Sequence, residues 1–467
     1  MNRKRRGEFY CQPNRKSEWA TVEEEQQARQ AAMEAQITAW RAVIPGIVDE
    51  IAKIEDPRRP ASIKHKFNVL MFFALLVFAL QCTSRREANR ELTRPGFLET
   101  LRTVFPEIDS CPHMDTVDRL LAAVPAENIE DALGRTVRNL IRDKKLQRML
   151  VDHGYVVAVD GTLKWSTDRQ FSPQATTKTH NGSTSYQAYV LEATLVGPQG
   201  ITIPLMAEFC ENPLDGNEQD KQDCESKAFK RLSVKLKSLF PRQRLIIVAD
   251  GLYPNGPVMD ICRANNWDFM IVLPENCLKT VWDDANGIHM AEPGQKLTFT
   301  WGNREQEFWW ANDIEYDWRD AEGRHRMTIH VVVCNEKWKE NGNDKQSTWA
   351  WVSRKAITLK NVVERCNGAG RHRWSLEEHL LTEKKRGYNY EHMYSRDWNG
   401  MKSWHAMMQL GHLLNTLTLY TQAVWDLAKR LGIRATLSLL HETMAGRWAD
   451  LSRLARLPEK PQLRLII

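Results

Sequence analysis

The sequence lacks the cysteine patterns that organise disulfide-rich and zinc-binding proteins. Its 467 residues include nine cysteines, which are scattered and odd in number. They form neither a CxxC pair nor a Cys/His pair at the spacing of a zinc site. This excludes a disulfide scaffold and a zinc finger as the basis of the fold, and it predicts a reduced, cytoplasmic environment.

Long hydrophobic runs are also missing. The one membrane candidate is Phe67–Cys82, which is shorter than the ~20 apolar residues needed to cross a bilayer. The basic first residues lack the apolar stretch and small-residue cleavage site of a signal peptide. We therefore predict no membrane association and a buried core helix at Phe67–Cys82. The alternative, a membrane protein with one short span, predicts dependence on detergent.

A strong excess of one charge is absent as well. Lys and Arg number 65 against 59 Asp and Glu, and the net charge of +6 is small for this length. Binding of nucleic acid would therefore depend on local basic clusters. The candidates are RKRR at 3–6, KHK at 64–66 and KKRG at 384–387, and a solvated surface is an equally good interpretation of each.

Changes in composition and hydrophobic period divide the chain. The first 40 residues contain strong helix formers without a clear apolar face, which predicts a mobile arm or an exposed helix. The pattern then becomes helical, turns strand-like at Tyr155 and is helical again after Asn361. We predict a polar and basic arm at 1–40, a helical N-terminal domain at 41–150, an α/β core at 151–284, a β-rich insertion at 285–350, further core helices at 351–425 and a C-terminal helical tail at 426–467.

The α/β core shows three strands, a helix, a strand, a helix and a strand in that order. Gly-Pro-Gln-Gly at 197–200 separates the second and third strands, which predicts a hairpin. Strands that alternate with helices after an initial run of strands predict a mixed α/β sheet.

Two apolar strands of this core end on an aspartate followed by a glycine. VVAVDG contains Asp160 and LIIVADG contains Asp250. Open α/β sheets bind ligands at the carboxyl ends of their strands, and two neighbouring carboxylates repel unless a cation lies between them. Hard oxygen ligands suit Mg²⁺ or Mn²⁺. The competing interpretation is that each aspartate only starts a turn, since Asp-Gly is a common turn pair.

RHRWSLEEHLLTEKKRG offers a third acid. Arg373, Glu377 and Lys384 share one face of a continuous helix. A carboxylate flanked by two cations suits a metal ion and a phosphate together. The same spacing is common in amphipathic helices with weak internal ion pairs, so it does not decide the function alone.

Two further features concern this helix. Ser375 and Glu378 fit a capping box, which would start the helix at Ser375 and leave Arg373 just outside it. Gly387 predicts the end of the helix. Glu378 is the nearest rival to Glu377 as the third acid, although the two side chains point about 100° apart on a helix.

Together these residues resemble the DDE transposases of bacterial insertion sequences, in the group with a β-rich insertion between the second Asp and the Glu. The resemblance extends over about residues 41–425. Asp160, Asp250 and Glu377 match the three acids of the family.

The Tyr-Arg-Glu-Lys signature of the family also matches, with one departure. Arg373, Glu377 and Lys384 stand at its Arg, Glu and Lys positions, and Gly370 stands in place of Tyr. The departure affects one contact near the transposon end and not the acids.

The resemblance implies a ribonuclease-H-like mixed sheet with a β-rich insertion, an all-helical domain before it and helices after it. It also implies two Mg²⁺ ions, replaceable by Mn²⁺, held by Asp160, Asp250 and Glu377. Water would first cut at the transposon end, and the freed 3′-hydroxyl would then attack a second strand.

The partners implied are double-stranded DNA, as terminal inverted repeats and target, and a second copy of the chain in a homodimer. Arg373, Lys384 and Lys385 would bind DNA phosphates, and the protein would be associated with the bacterial nucleoid. Two alternatives stay open: a nuclease of the same fold without strand transfer, and a catalytically silent DNA-binding descendant.

Tryptophan is abundant, with seventeen residues. Those of the insertion would be able to stack on an extruded base, but core packing is the more common use of any single tryptophan. The four considered are Trp301, Trp309, Trp310 and Trp318.

Overall fold

The structure is a computed structural model, and it describes residues 16–180, 182–213, 223–320, 323–340, 342–446 and 449–466. The basic cluster at 3–6 lies outside the described residues. The helices are α1 (Val22–Ile51), α2 (Phe67–Ala79), α3 (Arg85–Glu91), α4 (Pro95–Arg102), α5 (Met114–Ala123), α6 (Ala126–Arg142), α7 (Glu225–Leu239), α8 (Gly256–Ala264), α9 (Lys279–Ala291), α10 (Arg373–Lys385), α11 (Trp398–Leu419), α12 (Gln422–Leu431), α13 (Ile433–Ala445) and α14 (Leu451–Ala455). The strands are β1 (Leu150–Val151), β2 (Gly154–Thr167), β3 (Thr176–His180), β4 (Ser183–Val196), β5 (Thr202–Cys210), β6 (Leu245–Ala249), β7 (Asp268–Val272), β8 (Lys296–Trp301), β9 (Arg304–Asp320), β10 (Gly323–Glu340) and β11 (Asn343–Ser353).

The first helix corrects one expectation for residues 1–40. A capping box of Thr21 and Glu24 starts α1, and the helix then continues without a break across residue 40. Met33, Ile37 and Trp40 are fully buried. Residues 22–40 are therefore neither a mobile arm nor an exposed helix, because the apolar residues that they contain pack into the helical core.

The apolar run at Phe67–Cys82 forms α2 in the interior of the protein. Every residue from Val69 to Ala79 is buried, and α2 packs against α11. A Cβ atom at Gly411 would lie 2.7 Å from Cβ of Phe78, so glycine allows the two helices to approach closely. Among the described residues, no helix is long and apolar enough to cross a membrane.

The sheet is mixed, as the sequence predicted. In the described residues eleven strands form one sheet in the order β3-β4-β2-β6-β7-β11-β10-β9-β8, while β1 pairs with β2 and β5 with β4. β2, β6 and β7 are parallel to one another, and the other pairs are antiparallel. The fold is therefore mixed α/β, with helices at both ends of the chain.

The β-rich insertion belongs to this same sheet. β11 pairs antiparallel with β7, with Trp351 opposite Val272, and β10, β9 and β8 follow outward. Its hydrogen bonds therefore continue those of the core.

Candidate active site

The parallel pair of β2 and β6 brings two predicted acids together. Ala158 lies opposite Val248, and the same register continued by two residues sets Asp160 beside Asp250. Both side chains then point to the same face, because side chains alternate along a strand. The prediction that these two acids meet at one edge of the parallel strands is consistent with this register.

The strand itself does not end at Asp160, which corrects the expectation from the Asp-Gly pair. β2 continues to Thr167 and stays paired with β4, with Asp160 opposite Glu192. Only the parallel pairing with β6 ends here. Gly161 therefore extends the strand and does not begin a turn.

Asp250, in contrast, does begin a turn. Its Oδ1 accepts a hydrogen bond from the backbone N–H of Leu252 at 2.9 Å. The turn interpretation of Asp-Gly thus holds at this position, and it leaves the second carboxylate oxygen of Asp250 for another partner.

The charge balance around Asp160 is unusual. Burial and the neighbouring charge of Asp250 raise the pKa of Asp160 to about 6, with a smaller contribution from Glu377 and an opposing one from Arg373. The three predicted acids are therefore within electrostatic reach of one another. A carboxylate held in this way favours a nearby cation.

Arg373 connects α10 to β2. Its Nη2 lies 2.8 Å from Oε1 of Glu377, and its Nη1 lies 3.7 Å from Oδ2 of Asp160. The residue is buried, at 7% exposure, and its Nε has no hydrogen-bond partner. One guanidinium thus bridges two of the predicted acids, which agrees with the shared helix face expected for Arg373 and Glu377.

The start of α10 differs from the predicted capping box. The helix begins at Arg373 and has no side-chain cap. Ser375 instead lies 3.1 Å from Nδ1 of His372 through its hydroxyl. A π-helical turn, Glu364–Ala369, and a 3₁₀ turn, Gly370–His372, lead directly into the helix. These turns supply the backbone carbonyl oxygens that accept the first hydrogen bonds of α10. Arg373 is therefore inside the helix. Its end agrees with the prediction, because Gly387 adopts a φ of +108°.

Lys384 and Lys385 point in different directions. Nζ of Lys384 donates a hydrogen bond to Oγ1 of Thr162 at 2.7 Å, and burial lowers the pKa of this lysine. Lys385 has 62% of its side chain exposed and pairs with Glu391 at 3.0 Å. The structure therefore brings Lys384 to the strand of Asp160 and leaves Lys385 outside the cluster.

Gly370, which stands at the Tyr position of the signature, is packed against a tryptophan. A Cβ atom there would lie 2.7 Å from Nε1 of Trp351. A tyrosine would not fit unless Trp351 moved, so the aromatic ring beside this turn comes from β11 instead.

Glu225 is a fourth acid that sequence reasoning missed. It begins α7, and it accepts hydrogen bonds from the hydroxyls of Tyr189 and Tyr253, each at 2.7 Å. A Cβ atom at Gly161 would lie 2.6 Å from Cδ of Glu225. The glycine after Asp160 was therefore a signal of close approach by another group.

A buried polar network behind Lys384 was also missed. Nζ of Lys164 donates to the carbonyl oxygen of Tyr390 at 2.9 Å, and the hydroxyl of Tyr390 donates to Oε1 of Glu192 at 2.8 Å. Nζ of Lys384 lies 5.4 Å from the centre of the Tyr390 ring. The network fixes the segment after α10 against β2 and β4.

The four tryptophans of the insertion differ in environment. Trp310 is buried, while Trp309 stacks on His289 and Trp318 on His325. Trp301 is 41% exposed. Packing within the protein thus accounts for Trp309, Trp310 and Trp318.

The KHK cluster at 64–66 is solvated. Lys64 and Lys66 are exposed, and Nζ of Lys66 lies 3.5 Å from Oε2 of Glu107.

The potential ligand atoms of the three predicted acids are more widely spaced than those of another cluster in the protein. Among the described residues, one set of three potential ligands lies within 4.8 Å of one another, namely His379, Glu383 and His412. At least one pair of carboxylates among Asp160, Asp250 and Glu377 is therefore more than 4.8 Å apart. Their all-oxygen chemistry and mutual repulsion nevertheless fit a hard divalent cation.

One comparison bears on identity. Residues 48–137 match the family model described as DDE_Tnp_1-associated. This match is consistent with transposition in general. It extends from the end of α1 into α6 and does not include the acids of this candidate site. No curated protein matches the chain.

Proposed function

We propose that this chain is the DDE transposase of a bacterial insertion sequence. It would bind the terminal inverted repeats as a homodimer, cleave the DNA and transfer the freed strand to target DNA. The sheet around β2 and β6 would form a ribonuclease-H-like catalytic core. The observation that supports this best is the register that sets Asp160 beside Asp250, together with Arg373 between Asp160 and Glu377.

In this proposal Asp160, Asp250 and Glu377 hold two Mg²⁺ ions, and Mn²⁺ replaces them. The ions would activate the attacking oxygen and stabilise the leaving oxygen. Asp160 feels the charges of both other acids, so it is the residue suited to contact both ions. Its raised pKa reflects burial first and then repulsion by Asp250, and a bound cation would offset both.

Arg373 and Lys384 would bind the phosphate. Arg373 has a planar fork of donors that matches two phosphate oxygens, and Lys384 acts as a compact positive charge. Arg373 already contacts two carboxylates, so cation binding by those acids would free its donors for DNA. Lys385 is the weaker candidate, because it faces solvent and pairs with Glu391.

The test uses purified full-length protein, Mg²⁺ and a DNA fragment that carries the gene with its flanks. We expect discrete cuts near both flanks and then joined products, with none from Asp160→Asn. Cuts without joined products would support a nuclease of the same fold. DNA binding without cleavage, in Mg²⁺ and in Mn²⁺, would support a silent descendant.

A further inference from the structure

A second cluster of potential metal ligands lies between α10 and α11. His379 and Glu383 are one turn apart on α10, and His412 comes from α11. Nε2 of His379 lies 3.1 Å and Nδ1 of His412 lies 2.8 Å from the same oxygen, Oε1 of Glu383. All three residues are buried, and Glu383 has no exposed surface.

The carboxylate of Glu383 is only partly satisfied. Its second oxygen, Oε2, is buried and has no hydrogen-bond partner in the part of the chain that the structure describes. A buried carboxylate oxygen without a partner is costly. This oxygen is therefore available to a further group, and the two imidazoles beside it make a cation the fitting one.

The first histidine is oriented as in many metal sites. Nδ1 of His379 and Oγ1 of Thr202 are hydrogen-bonded over 2.9 Å, which leaves Nε2 to face Glu383. Histidine ligands typically use their other ring nitrogen in this way, and the bond fixes the tautomer and the ring.

A cavity gives access to the cluster. It has a volume of about 310 Å³, and His412, Thr202 and Tyr388 contribute to its wall together with Arg386 and Arg434. The histidine rings are stacked, with centroids 4.3 Å apart and planes at 9°. Coordination by both nitrogens requires one ring to tilt, and because the ring of Tyr388 also stacks on His412, with centroids 4.4 Å apart, Tyr388 would have to shift as well.

We propose that His379, Glu383 and His412 bind one divalent ion of the zinc class. Two imidazole nitrogens and one carboxylate oxygen are a ligand set of Zn²⁺, with a fourth position for water from the cavity. Mg²⁺ prefers oxygen ligands, so this site would differ in metal from the acids around Asp160. The inference does not depend on the proposed function.

Such an ion would link α10 to α11 and stabilise their packing. α10 carries Arg373, Glu377 and Lys384, and His412 lies in the long buried helix α11. An ion held by both helices would fix the orientation of α10 against the sheet. Both histidines would bind as neutral imidazoles through the nitrogens that now face Glu383, and each ring would keep its one proton on its other nitrogen.

The test is a metal analysis of the purified full-length protein. Chain prepared without chelator and dialysed in millimolar Mg²⁺ should retain one zinc per chain. Metal-free protein titrated with Co²⁺ should develop the visible absorption of a four-coordinate site. Co²⁺ affinity should fall at least ~10-fold in Glu383→Gln and in Thr202→Val, because partners of metal-bound histidines already contribute 10- to 100-fold.

The control is Asp160→Asn, which should keep its zinc, because its acid belongs to the other cluster. Loss of zinc in this variant would assign the metal to the acids and overturn the proposal. So would wild-type protein that retains no zinc and shows no Co²⁺ absorption, or a Glu383→Gln variant with unchanged affinity. The zinc content and Co²⁺ absorption of wild-type protein test the proposal even if a variant fails to fold.

Discussion

Lys384 donates a hydrogen bond from Nζ to Oγ1 of Thr162, two residues beyond Asp160 on β2. This contact joins the last turn of α10 to the strand of the first predicted acid. Arg373 makes the corresponding contact from the first turn of α10. The helix is thus held against β2 at both ends, and Glu377 lies between the two contacts.

The two neighbouring lysines should differ in their effect on DNA binding. Lys384→Ala should weaken binding to transposon-end DNA and reduce the slope of log affinity against log salt by about one, as for one lost phosphate contact. Lys385→Ala is the matched control, and its slope should stay near that of wild type. The measurement is a binding titration at several salt concentrations. Equal slopes for Lys384→Ala and wild type would remove Lys384 from the interface.

The two neighbouring glutamates allow a similar comparison. Glu377→Gln should reduce the cleavage rate by more than ~100-fold, because even groups one step removed from a metal contribute 10- to 100-fold. Glu378→Gln should cleave at nearly the wild-type rate, since its side chain points about 100° away from that of Glu377. Single-turnover cleavage measures both. A dead Glu378→Gln beside an active Glu377→Gln would assign the third acid to Glu378.

Asp160 should make stability depend on pH in the absence of divalent ions. Its folded-state pKa is raised from 3.8 to about 6, so its contribution to stability is fully present below pH 4 and is lost as pH rises through 6. Asp160→Asn should therefore be more stable than wild type at pH 7.5, by about 1 to 3 kcal/mol, and the difference should vanish near pH 4. Denaturant unfolding in a chelator measures this. A gain in the stability of Asp160→Asn that does not change with pH would contradict this prediction.

The close contact of α2 and α11 predicts an intolerant glycine. Gly411→Ala places a Cβ 2.7 Å from Cβ of Phe78 and 3.0 Å from the backbone nitrogen of Ala79. These atoms cannot move without shifting the helix, so a loss of about 1 to 3 kcal/mol in unfolding free energy is expected.

Gly46→Ala in α1 is the control for this substitution, since among the described residues no atom beyond its chain neighbours and the nearby backbone of α1 lies within 4 Å of the added Cβ. It should stabilise the helix by up to about 1 kcal/mol. Thermal and denaturant unfolding of both variants measures the difference. A neutral Gly411→Ala would show that the two helices separate easily.

The meeting of Asp160 and Asp250 was predictable because it depends only on strand order and direction. The continuation of β2 through Gly161 was not, because Asp-Gly is equally common in turns. What keeps the strand extended is pairing with β4, and the small glycine makes room for Glu225. The close approach of Gly161 and Glu225 joins residues far apart in sequence, so local patterns do not reveal it.

The start of α10 also shows that local sequence rules do not include the surrounding structure. Ser375 and Glu378 satisfy the local rule for a capping box, but the turns over 364–372 already provide the start of the helix. Lys384 and Lys385 are alike in sequence and both lie near Glu391, and only the position of β2 gives Lys384 a half-buried contact while Lys385 stays exposed. The His379, Glu383 and His412 cluster likewise needs α11 to lie beside α10.

The pairing of β11 with β7 has a consequence for the order in which the protein matures. Asp160 is synthesised more than two hundred residues before Glu377, and the whole insertion must emerge and join the sheet between them. Contacts between segments this distant form slowly and late. A nascent chain that ends before α10 would therefore contain Asp160 and Asp250 without Glu377, so the proposed site would be complete only after α10 has been synthesised.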